Sequence, residues 1–332
     1  MIEINDHMLS SQKIAVIIPT YKVKDQIGKV ISSIPDFVWR IYVVDDCCPV
    51  ETGKYVEANF NEDRLIVLYN AENKGVGGAV KAGYVQALND GAQIMVKIDG
   101  DNQMDAELIP YFVEPIISGE ADYTKGNRFW DLEKINAMPK MRLIGNSLLS
   151  LMTKFSSGYW QNFDPTNGYT AIHAGSARHL PLYKISNRYF FESDMLFRLN
   201  TLRAVVHDIP MHAKYEDEES NLKISKIVGE FLFKHIRNFV KRIFYNYYLR
   251  DLSIASLELP IGIGAFIFGL IYGIMNWLNT AETGIATPAG TVMLAALPLL
   301  VGVQLLLAFL NYDIASVPTR PISRKAGHKI SF

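Results

Sequence analysis

Short apolar runs alternate with amphipathic stretches over the first hundred residues. The apolar runs carry no polar alternation, which is typical of parallel strands buried on both faces; they span residues 13–19, 39–44, 65–69 and 94–98. Apolar residues recur at helical spacing in the segments between them, 25–34, 53–60 and 76–88. Strands that alternate with helices predict an α/β domain built on a mostly parallel, doubly wound sheet.

Beyond residue 110 the alternation is less regular. Helical spacing recurs over residues 105–117, 138–155 and 189–202. Brief strand-like runs occupy residues 122–125, 169–173 and 204–209. We therefore expect the first domain to cover residues 1–222, with its last strand ending near residue 209.

Residues 224–248 hold helical spacing throughout and combine many aromatic side chains with interspersed basic ones. The basic residues are Lys226, Lys234, Arg237, Lys241 and Arg242. This profile is typical of a helix lying in a membrane interface, and we assign residues 223–252 to such a juxtamembrane region. Packing of the apolar stripe on the preceding domain is the alternative.

Two long uncharged segments follow and form a predicted transmembrane hairpin, residues 253–314. The spans are about 259–278 and 290–312, each long enough to cross roughly 30 Å of hydrocarbon. The loop between them lacks Lys and Arg, whereas the tail, residues 315–332, is basic. The positive-inside rule then predicts an integral membrane protein whose first domain and C-terminus are both cytoplasmic. Glycines 262, 264, 269 and 273 favour close helix contacts, so a homo-oligomer is expected.

Composition adds three constraints. A net charge of −1 gives no reason to expect a nucleic-acid partner. Cys47 and Cys48 are adjacent, which disfavours a disulfide and indicates reduced thiols. Residues 1–13 are polar, so no secretory signal is expected.

The strand-like run at 94–98 leads directly into Asp99, Asp101 and Gln103. Two carboxylates this close repel unless a cation lies between them, and oxygen ligands suit Mg²⁺ or Mn²⁺ held jointly with substrate phosphates. A solvated acidic turn is the alternative for this pattern taken alone.

Polar residues also follow the other three strands, at Thr20 and Tyr21, Asp45 and Asp46, and Asn73 and Lys74. Since the carboxyl ends of parallel strands share one edge, a nucleotide lying across them explains all four sets. Glycines 75, 77 and 78 would let backbone amides approach an anion at a helix start. The candidate nucleotide-binding residues are Pro19, Thr20, Tyr21, Asp46, Asn73, Lys74, Gly78, Asp99 and Gly100.

In this order the motifs VIIPTY, VVDDCCP, NKGVGGAVKAGY, KIDGDNQ and KGNRF, followed by a basic amphipathic stretch and a membrane hairpin, resemble the family 2 glycosyltransferases of GT-A fold. More narrowly, they are similar to the polyprenyl-phosphate glycosyltransferases, including the dolichyl-phosphate mannose synthase group and its bacterial undecaprenyl-phosphate relatives. The resemblance covers about residues 13–225 in motif order and the membrane part by architecture.

The resemblance implies roles for individual residues. Pro19, Tyr21 and Asp46 match positions that hold the nucleobase, and Asp99 matches a position near the ribose and diphosphate. Asp101 and Gln103 match the metal ligands, while Arg128 and Arg142 resemble a pair of arginines that binds the acceptor phosphate. Cys47 and Cys48 depart from the family pattern, which leaves the shape of the base pocket open.

Three carboxylates have alternative explanations. Asp164 resembles a position facing the acceptor, yet Asp-Pro is also an ordinary turn. Glu192 lies where hydroxyl-accepting relatives carry a general base, although it and Asp194 could equally cap a helix. Lys214 and Tyr215 could belong to a loop that closes over the donor or to a surface loop without a role.

Together with the resemblance, these observations predict an inverting, metal-dependent transfer of one sugar from a nucleoside diphosphate sugar, with a UDP-sugar favoured, to undecaprenyl phosphate at the bacterial inner membrane. A lipid monophosphate is largely ionised at neutral pH and needs cations more than it needs a base; a guanidinium grips phosphate through two donors. Surface salt bridges are the alternative role for Arg128 and Arg142. The rival functions are a transferase that elongates a glycan at a hydroxyl group and a noncatalytic nucleotide-sugar scaffold.

Overall fold

The structure is a computed structural model that describes residues 6–130, 140–211 and 224–326. Within these ranges, the side chains at 6–7, 140–142, 224–228 and 325–326 lie outside the described part. The chain forms two compact units. The first extends to Phe239 and also includes the segment that begins at Pro318, and the second is Val240–Val317.

One mixed sheet organises the first unit. Its strands are β1 (Ile14–Thr20), β2 (Arg40–Asp45), β3 (Leu65–Tyr69), β4 (Ile94–Lys97), β5 (Tyr123–Asn127), β6 (Thr170–His173) and β7 (Val206–Pro210), in the order β3-β2-β1-β4-β6-β5-β7. All neighbouring strands are parallel except that β6 runs antiparallel to both β4 and β5. The expected mostly parallel α/β sheet is confirmed.

Helices of the first unit connect and cover these strands. They are α1 (Asp6–Ser10), α2 (Ile27–Ser33), α3 (Thr52–Asn59), α4 (Val76–Asn89), α5 (Ile109–Ile117), α6 (Lys140–Ser157), α7 (Ala174–His179), α8 (Phe191–Leu202) and α9 (Ile224–Phe244). Short 3₁₀ turns occupy Ala106–Leu108 and Leu182–Lys184. Every residue of β1 is buried, as its uninterrupted apolar run predicts, because helices cover both faces of the sheet.

The antiparallel direction of β6 was not predicted, and it positions the candidate site. Lys97 on β4 lies opposite Thr170 at the start of β6. The turn that precedes β6 therefore arrives at the carboxyl end of β4, beside Asp99. A four-residue buried strand has no sequence feature that distinguishes the two directions, since both place the same side chains in the core.

Helix α9 has one buried face and one exposed apolar face. On the buried face, His235 Nδ1 lies 2.8 Å from Ser156 Oγ, and Asn238 Nδ2 donates to Asp194 Oδ1 at 3.0 Å. Burial lowers the pKa of His235 to about 4, so the imidazole is neutral at physiological pH. The exposed face carries Leu232, Phe233, Ile236, Val240 and Phe244. The alternative, packing on the preceding domain, therefore holds for the buried face. The membrane-interface prediction concerns the exposed face and stays a prediction.

The second unit contains a helical hairpin of α10 (Ala255–Thr283) and α11 (Ala289–Ala315), preceded by a π-helical turn at Tyr245–Arg250. Both helices are long and apolar enough to cross a membrane, and only 11% of the most apolar window of each is buried. That exposure distinguishes them from core helices of a soluble domain. With 29 and 27 residues they are about 44 and 40 Å long, more than the roughly 30 Å of hydrocarbon in a bilayer.

Three glycines of the hairpin allow its two helices to pack closely against each other. A Cβ at Gly262 would lie 3.0 Å from Leu305 Cβ, and one at Gly269 would lie 2.7 Å from Ala295 O. Gly302 makes the reciprocal approach to Phe266. The close helix contacts expected at Gly262 and Gly269 thus occur within one chain, and self-association stays a prediction. No atom of the described residues lies within 4 Å of a Cβ placed at Gly264.

A buried ion pair closes the base of the hairpin. Arg242 donates to both carboxylate oxygens of Asp313, at 2.6 and 3.0 Å, and the Tyr247 hydroxyl donates to the same carboxylate at 2.6 Å. Arg242 and Asp313 are almost completely buried. Since Asp313 lies at the end of an apolar segment, its charge requires such a partner. The sequence analysis did not single out Asp313.

Candidate active site

A cleft of about 290 Å³ lies at the carboxyl ends of β1, β2 and β4. The residues that line it are Pro19, Thr20, Tyr21, Val23, Asp46, Asn73, Gly75, Val76, Ala79, Asp99, Gly100, Asp101, Arg188 and Tyr189. Seven of the nine candidate nucleotide-binding residues are in this lining, and Lys74 and Gly78 are not. Polar strand ends thus converge on one cleft, as expected for an open α/β sheet.

The buried carboxylate of Asp46 holds the glycine-rich loop. It accepts hydrogen bonds from Asn70 Nδ2 at 2.7 Å, Lys74 N at 3.0 Å and Gly75 N at 2.6 Å. These donors come from the loop that follows β3, so Asp46 ties the ends of β2 and β3 together. In this structure the Asp46 carboxylate therefore accepts its hydrogen bonds from N–H groups of the protein, and these bonds fix the loop that forms one wall of the cleft.

Asp45 plays the same part for the loop after β2. Its carboxylate accepts from Cys48 N and Gly53 N, each at 2.7 Å. Cys47 has a φ of 54°, and neither it nor Cys48 forms a disulfide. The Cys48 thiol accepts the Lys22 N–H at 3.0 Å, so the second cysteine packs the loop against the segment after β1.

Arg188 and Tyr189 complete the cleft, and the sequence analysis did not assign them to it. Their loop contacts the glycine-rich turn: Gly78 N donates to Asn187 O at 3.1 Å, and a Cβ at Gly75 (φ 82°) would lie 2.8 Å from Arg188 Cγ. Lys81 on α4 donates to Ile185 O at 2.7 Å. These contacts join segments about a hundred residues apart, so no local sequence pattern could reveal them.

Asp101 and Gln103 occupy the turn after β4. Asp101 lines the cleft, and its Oδ1 accepts the Gln103 N–H at 3.1 Å. The described residues contain no group of three His, Cys, Asp or Glu side chains that could hold a metal ion by themselves. This donor set fits a Mg²⁺ or Mn²⁺ ion that takes most of its ligands from substrate phosphates and water, rather than a closed protein cage.

A second, larger groove of about 560 Å³ adjoins the cleft, and Val76, Asp99 and Tyr189 line both. Its other lining residues are Lys97, Gly145, Asn146, Leu148, Leu149, Met152, Thr166, Gly168, Glu192 and Phe231. Leucine and methionine side chains of α6 form one wall and Phe231 of α9 adds to it. The described lining of the groove is thus largely apolar, and its charged side chains are Lys97, Glu192 and Asp99, the last of which it shares with the cleft.

Lys97, Asp99 and Glu192 form the charged end of the groove. The buried Lys97 ammonium lies 3.0 Å from Asp99 Oδ1 and 3.3 Å from Glu192 Oε1. Although burial disfavours its charge, the carboxylates of Asp99 and Glu192 raise the pKa of Lys97. Burial raises the pKa of Glu192, and the Lys97 charge opposes that shift. A Cβ at Gly168 would overlap Lys97 Nζ and lie 2.7 Å from Asp99 Oδ2, so this position has no room for a side chain.

Arg128 and Asp164 form a bidentate pair at the end of β5. Arg128 Nε and Nη2 each donate to the Asp164 carboxylate at 2.7 Å, and the Arg128 N–H also donates to Oδ2 at 3.1 Å. Burial opposes the charge of Asp164, yet the Arg128 guanidinium holds the pKa of its carboxyl below the usual value. The side chain of Arg142, and Lys214 and Tyr215 altogether, lie outside the described residues.

Asp194 holds neighbouring segments together and does not line the groove. Its fully buried carboxylate accepts from Ser186 N at 2.9 Å and from Asn238 on α9, so it fastens the loop before α8 and the juxtamembrane helix. Glu192, two residues earlier, points instead into the groove. The first turn of α8 therefore supplies one structural carboxylate and one at the candidate site.

Comparisons with known proteins agree with this geometry. A family model described as Glycosyl transferase family 2 matches residues 15–180. An undecaprenyl-phosphate mannosyltransferase from Micrococcus luteus is 30% identical over 223 residues, which cover 66% of this chain and 90% of the relative. A UDP-N-acetylglucosamine–dolichyl-phosphate N-acetylglucosaminyltransferase from Methanococcus voltae is 25% identical over 223 residues, covering 63% and 88%.

Among solved structures, glucosyl-3-phosphoglycerate synthase from Mycobacterium tuberculosis, in complex with Mn²⁺, UDP and glucosyl-3-phosphoglycerate, superimposes with a TM-score of 0.52. The match covers 71% of this chain and 82% of that one at 18% identity, so the likeness concerns the fold. Together with the sheet described above, it confirms the GT-A fold that the motif order implies.

Proposed function

The chain belongs to glycosyl transferase family 2, and from this premise we propose that it transfers one sugar from a UDP-sugar to a polyprenyl phosphate at a membrane surface. Two relatives carry names of this kind: the Micrococcus luteus protein is an undecaprenyl-phosphate mannosyltransferase and the Pyrococcus furiosus protein a dolichol-phosphate mannosyltransferase. The polyprenyl phosphate is the acceptor that both names share.

One observation carries this proposal: a cleft lined by several carboxylates and other polar groups adjoins a groove whose lining is more strongly apolar, and Asp99 lines both. A nucleoside diphosphate sugar is water-soluble and highly charged, whereas a polyprenyl phosphate joins one phosphate to a long hydrocarbon chain. Two adjoining cavities, one with many polar groups and one with a more apolar lining, suit this pair of substrates better than they suit two polar ones. A soluble sugar acceptor would leave the apolar wall of α6 without a partner.

The proposed reaction is a direct displacement with inversion. An oxygen of the acceptor phosphate attacks the anomeric carbon, the bond from that carbon to the donor diphosphate breaks, and the nucleoside diphosphate leaves with the electron pair. No proton needs removal because the attacking phosphate is already largely ionised. Asp101 and Gln103 would hold a Mg²⁺ or Mn²⁺ ion, which supplies neutralisation of the charge that develops on the leaving diphosphate.

An anionic acceptor also requires positive charge from the protein. Among the described lining residues of the groove, Lys97 is the one cation, and it already faces Asp99 and Glu192. Following the family resemblance, we assign the grip on the acceptor phosphate to Arg128 and Arg142, although Arg128 is not among the described lining residues of the groove or the cleft. In this assignment Asp164 orients the Arg128 guanidinium, in the way that a buried carboxylate fixes a bidentate arginine.

The surface of the first unit supports a lipid-facing role. Helix α6 exposes Ile144, Leu148, Leu151 and Phe155, which form one stripe at helical spacing. Phe155 packs edge-on against Phe239 of α9 at 6.3 Å, so the exposed apolar residues of the two helices are continuous. We propose that this surface rests in the membrane interface, that α10 and α11 span the inner membrane, and that the catalytic unit and tail face the cytoplasm.

A transfer assay tests the proposal. The full chain in detergent is incubated with undecaprenyl phosphate, Mg²⁺ or Mn²⁺ and a panel of radiolabelled nucleotide sugars, and the label in the organic phase is counted. We expect one donor to give metal-dependent label in the lipid. If the label enters a glycan acceptor instead, this proposal is wrong and the protein is a transferase that elongates a glycan. In that case Glu192 is the candidate general base.

A charged residue in the groove wall should separate the two substrates. Leu148 lines the groove and is also part of the exposed stripe. We expect Leu148→Asp to raise the KM for undecaprenyl phosphate about tenfold, since it places a charge where apolar chain is buried, and to leave the KM for the donor unchanged. Leu151→Asp, on the same stripe but outside the groove lining, is the matched control. Equal effects of both variants on the acceptor KM would argue against an acceptor groove.

A further inference from the structure

Asp122 is a completely buried carboxylate immediately before β5, at the edge of the sheet opposite the carboxyl ends that line the candidate site. Its Oδ1 accepts from Ser176 Oγ at 3.0 Å and from Ser323 N at 2.9 Å. Its Oδ2 accepts from Val205 N at 2.8 Å and from Ile322 N at 3.0 Å. Four donors thus satisfy one carboxylate, and two of them come from the C-terminal segment.

The carboxylate depends on that segment because a buried charge needs its hydrogen bonds. Removing Ile322 and Ser323 would leave one donor on each oxygen, and a buried acceptor that loses a donor is costly. Consecutive backbone N–H groups that point at one carboxylate are a specific arrangement, since the chain must turn so that both face the same side. The contact is therefore built by the fold of the tail and not by its basic side chains.

Neighbouring contacts extend this docking site. Pro318 and Pro321 are buried, although both lie in the basic tail. Gly119 has a φ of 71°, and a Cβ there would lie 3.0 Å from Arg324 Nε and 3.2 Å from its Cγ. The stem of Arg324 thus lies on the backbone at Gly119, where only a glycine leaves it room.

We propose that the catalytic unit carries a docking site for the chain's own C-terminal segment, residues 318–326, and that this segment is a permanent latch. The chain leaves the first unit at Phe239, within α9, and returns to it at Pro318. The latch is therefore a contact within the first unit, made by the part of the chain that follows the hairpin. This inference does not depend on which sugar or acceptor the enzyme uses.

Hydrogen–deuterium exchange on the full chain in detergent micelles tests the latch, with site-resolved mass spectrometry. In the unchanged chain we expect the amides of Ile322 and Ser323 to exchange at least tenfold more slowly than unstructured amides of the same sequence. Asp122→Asn should remove most of that protection, because its NH₂ group faces N–H donors. Arg320→Ala, an exposed position of the same segment, is the matched control and should leave the protection intact.

A second variant keeps the test decisive if Asp122→Asn also disturbs Ser176 and Val205. Ile322→Pro removes one of the two tail donors and leaves Asp122 in place. It should release Ser323 to fast exchange while the amides of β1 stay protected. Unprotected amides at 322 and 323 in the unchanged chain would overturn the proposal, as would protection that survives both Asp122→Asn and Ile322→Pro.

Discussion

Replacing Asp101 by alanine is expected to lower the rate of sugar transfer by about 10²- to 10³-fold, the usual loss when one group that stabilises developing charge is removed. Asp101 lines the cleft on the turn after β4 and offers hard oxygen ligands to a cation shared with the donor diphosphate. Its carboxylate accepts the N–H of Gln103 within the same turn, and losing such a local hydrogen bond costs the fold about 1 kcal/mol.

Two measurements separate a metal role from a general loss of activity. The concentration of Mn²⁺ that gives half-maximal transfer should rise in Asp101→Asn, which retains one oxygen ligand without the charge. Glu107→Ala, an exposed acidic residue of the same segment, is the control and should keep the activity and metal dependence of the unchanged chain. Normal transfer by Asp101→Ala would contradict the proposed site.

Arg128→Ala is expected to abolish transfer and to destabilise the protein, for two different reasons. The loss of transfer follows from the proposed grip on the acceptor phosphate. The loss of stability follows from the almost completely buried Asp164, whose charge would be left without its guanidinium. Breaking a buried pair in this way costs about 3–5 kcal/mol, or a fall of roughly 6–20 °C in the unfolding midpoint.

The double variant Arg128→Ala with Asp164→Asn distinguishes these effects. It removes the uncompensated charge, so most of the thermal stability should return, while transfer should stay at the level of Arg128→Ala and donor binding should be kept. Thermal unfolding in detergent, donor binding and lipid-phase label are measured on all variants. Arg40→Ala, which breaks a more exposed pair with Asp90, is the control and should cost about 1 kcal/mol or less. If transfer recovers together with stability, Arg128 is a structural residue.

The part of the fold that the sequence predicts best is the part with the clearest hydrophobic pattern. Strands β1 to β4 and the helices between them lie within two or three residues of the expected bounds, because buried strands and amphipathic helices have distinct periodicities. The direction of β6 could not be predicted, since reversing a buried four-residue strand changes no pattern. For the same reason, the sequence did not predict that the turn before β6, which contains Gly168, lies at the carboxyl end of β4.

The candidate site shows the same division. Asp46, Asp99 and Asp101 could be placed because strand ends of a parallel sheet converge by rule. Arg188 could not be placed, because tertiary contacts alone position its loop, including the hydrogen bond from Lys81 to Ile185 O. The same holds outside the site for Asp313 of the hairpin, whose partner is Arg242. The sequence marks the tail only as basic, yet its backbone N–H groups, which every sequence has, hold it on Asp122.

The contact between Asp122 and the tail also has a consequence for biosynthesis. The sheet is complete in sequence at Pro210, but the last two donors to Asp122 are synthesised more than a hundred residues later, after both hairpin helices. At about 5–20 residues per second, the ribosome needs on the order of ten seconds to cover that interval. Throughout it the nascent domain holds a carboxylate with half of its partners, so its final step of folding must wait until the hairpin and the segment that contains Ile322 and Ser323 have been made.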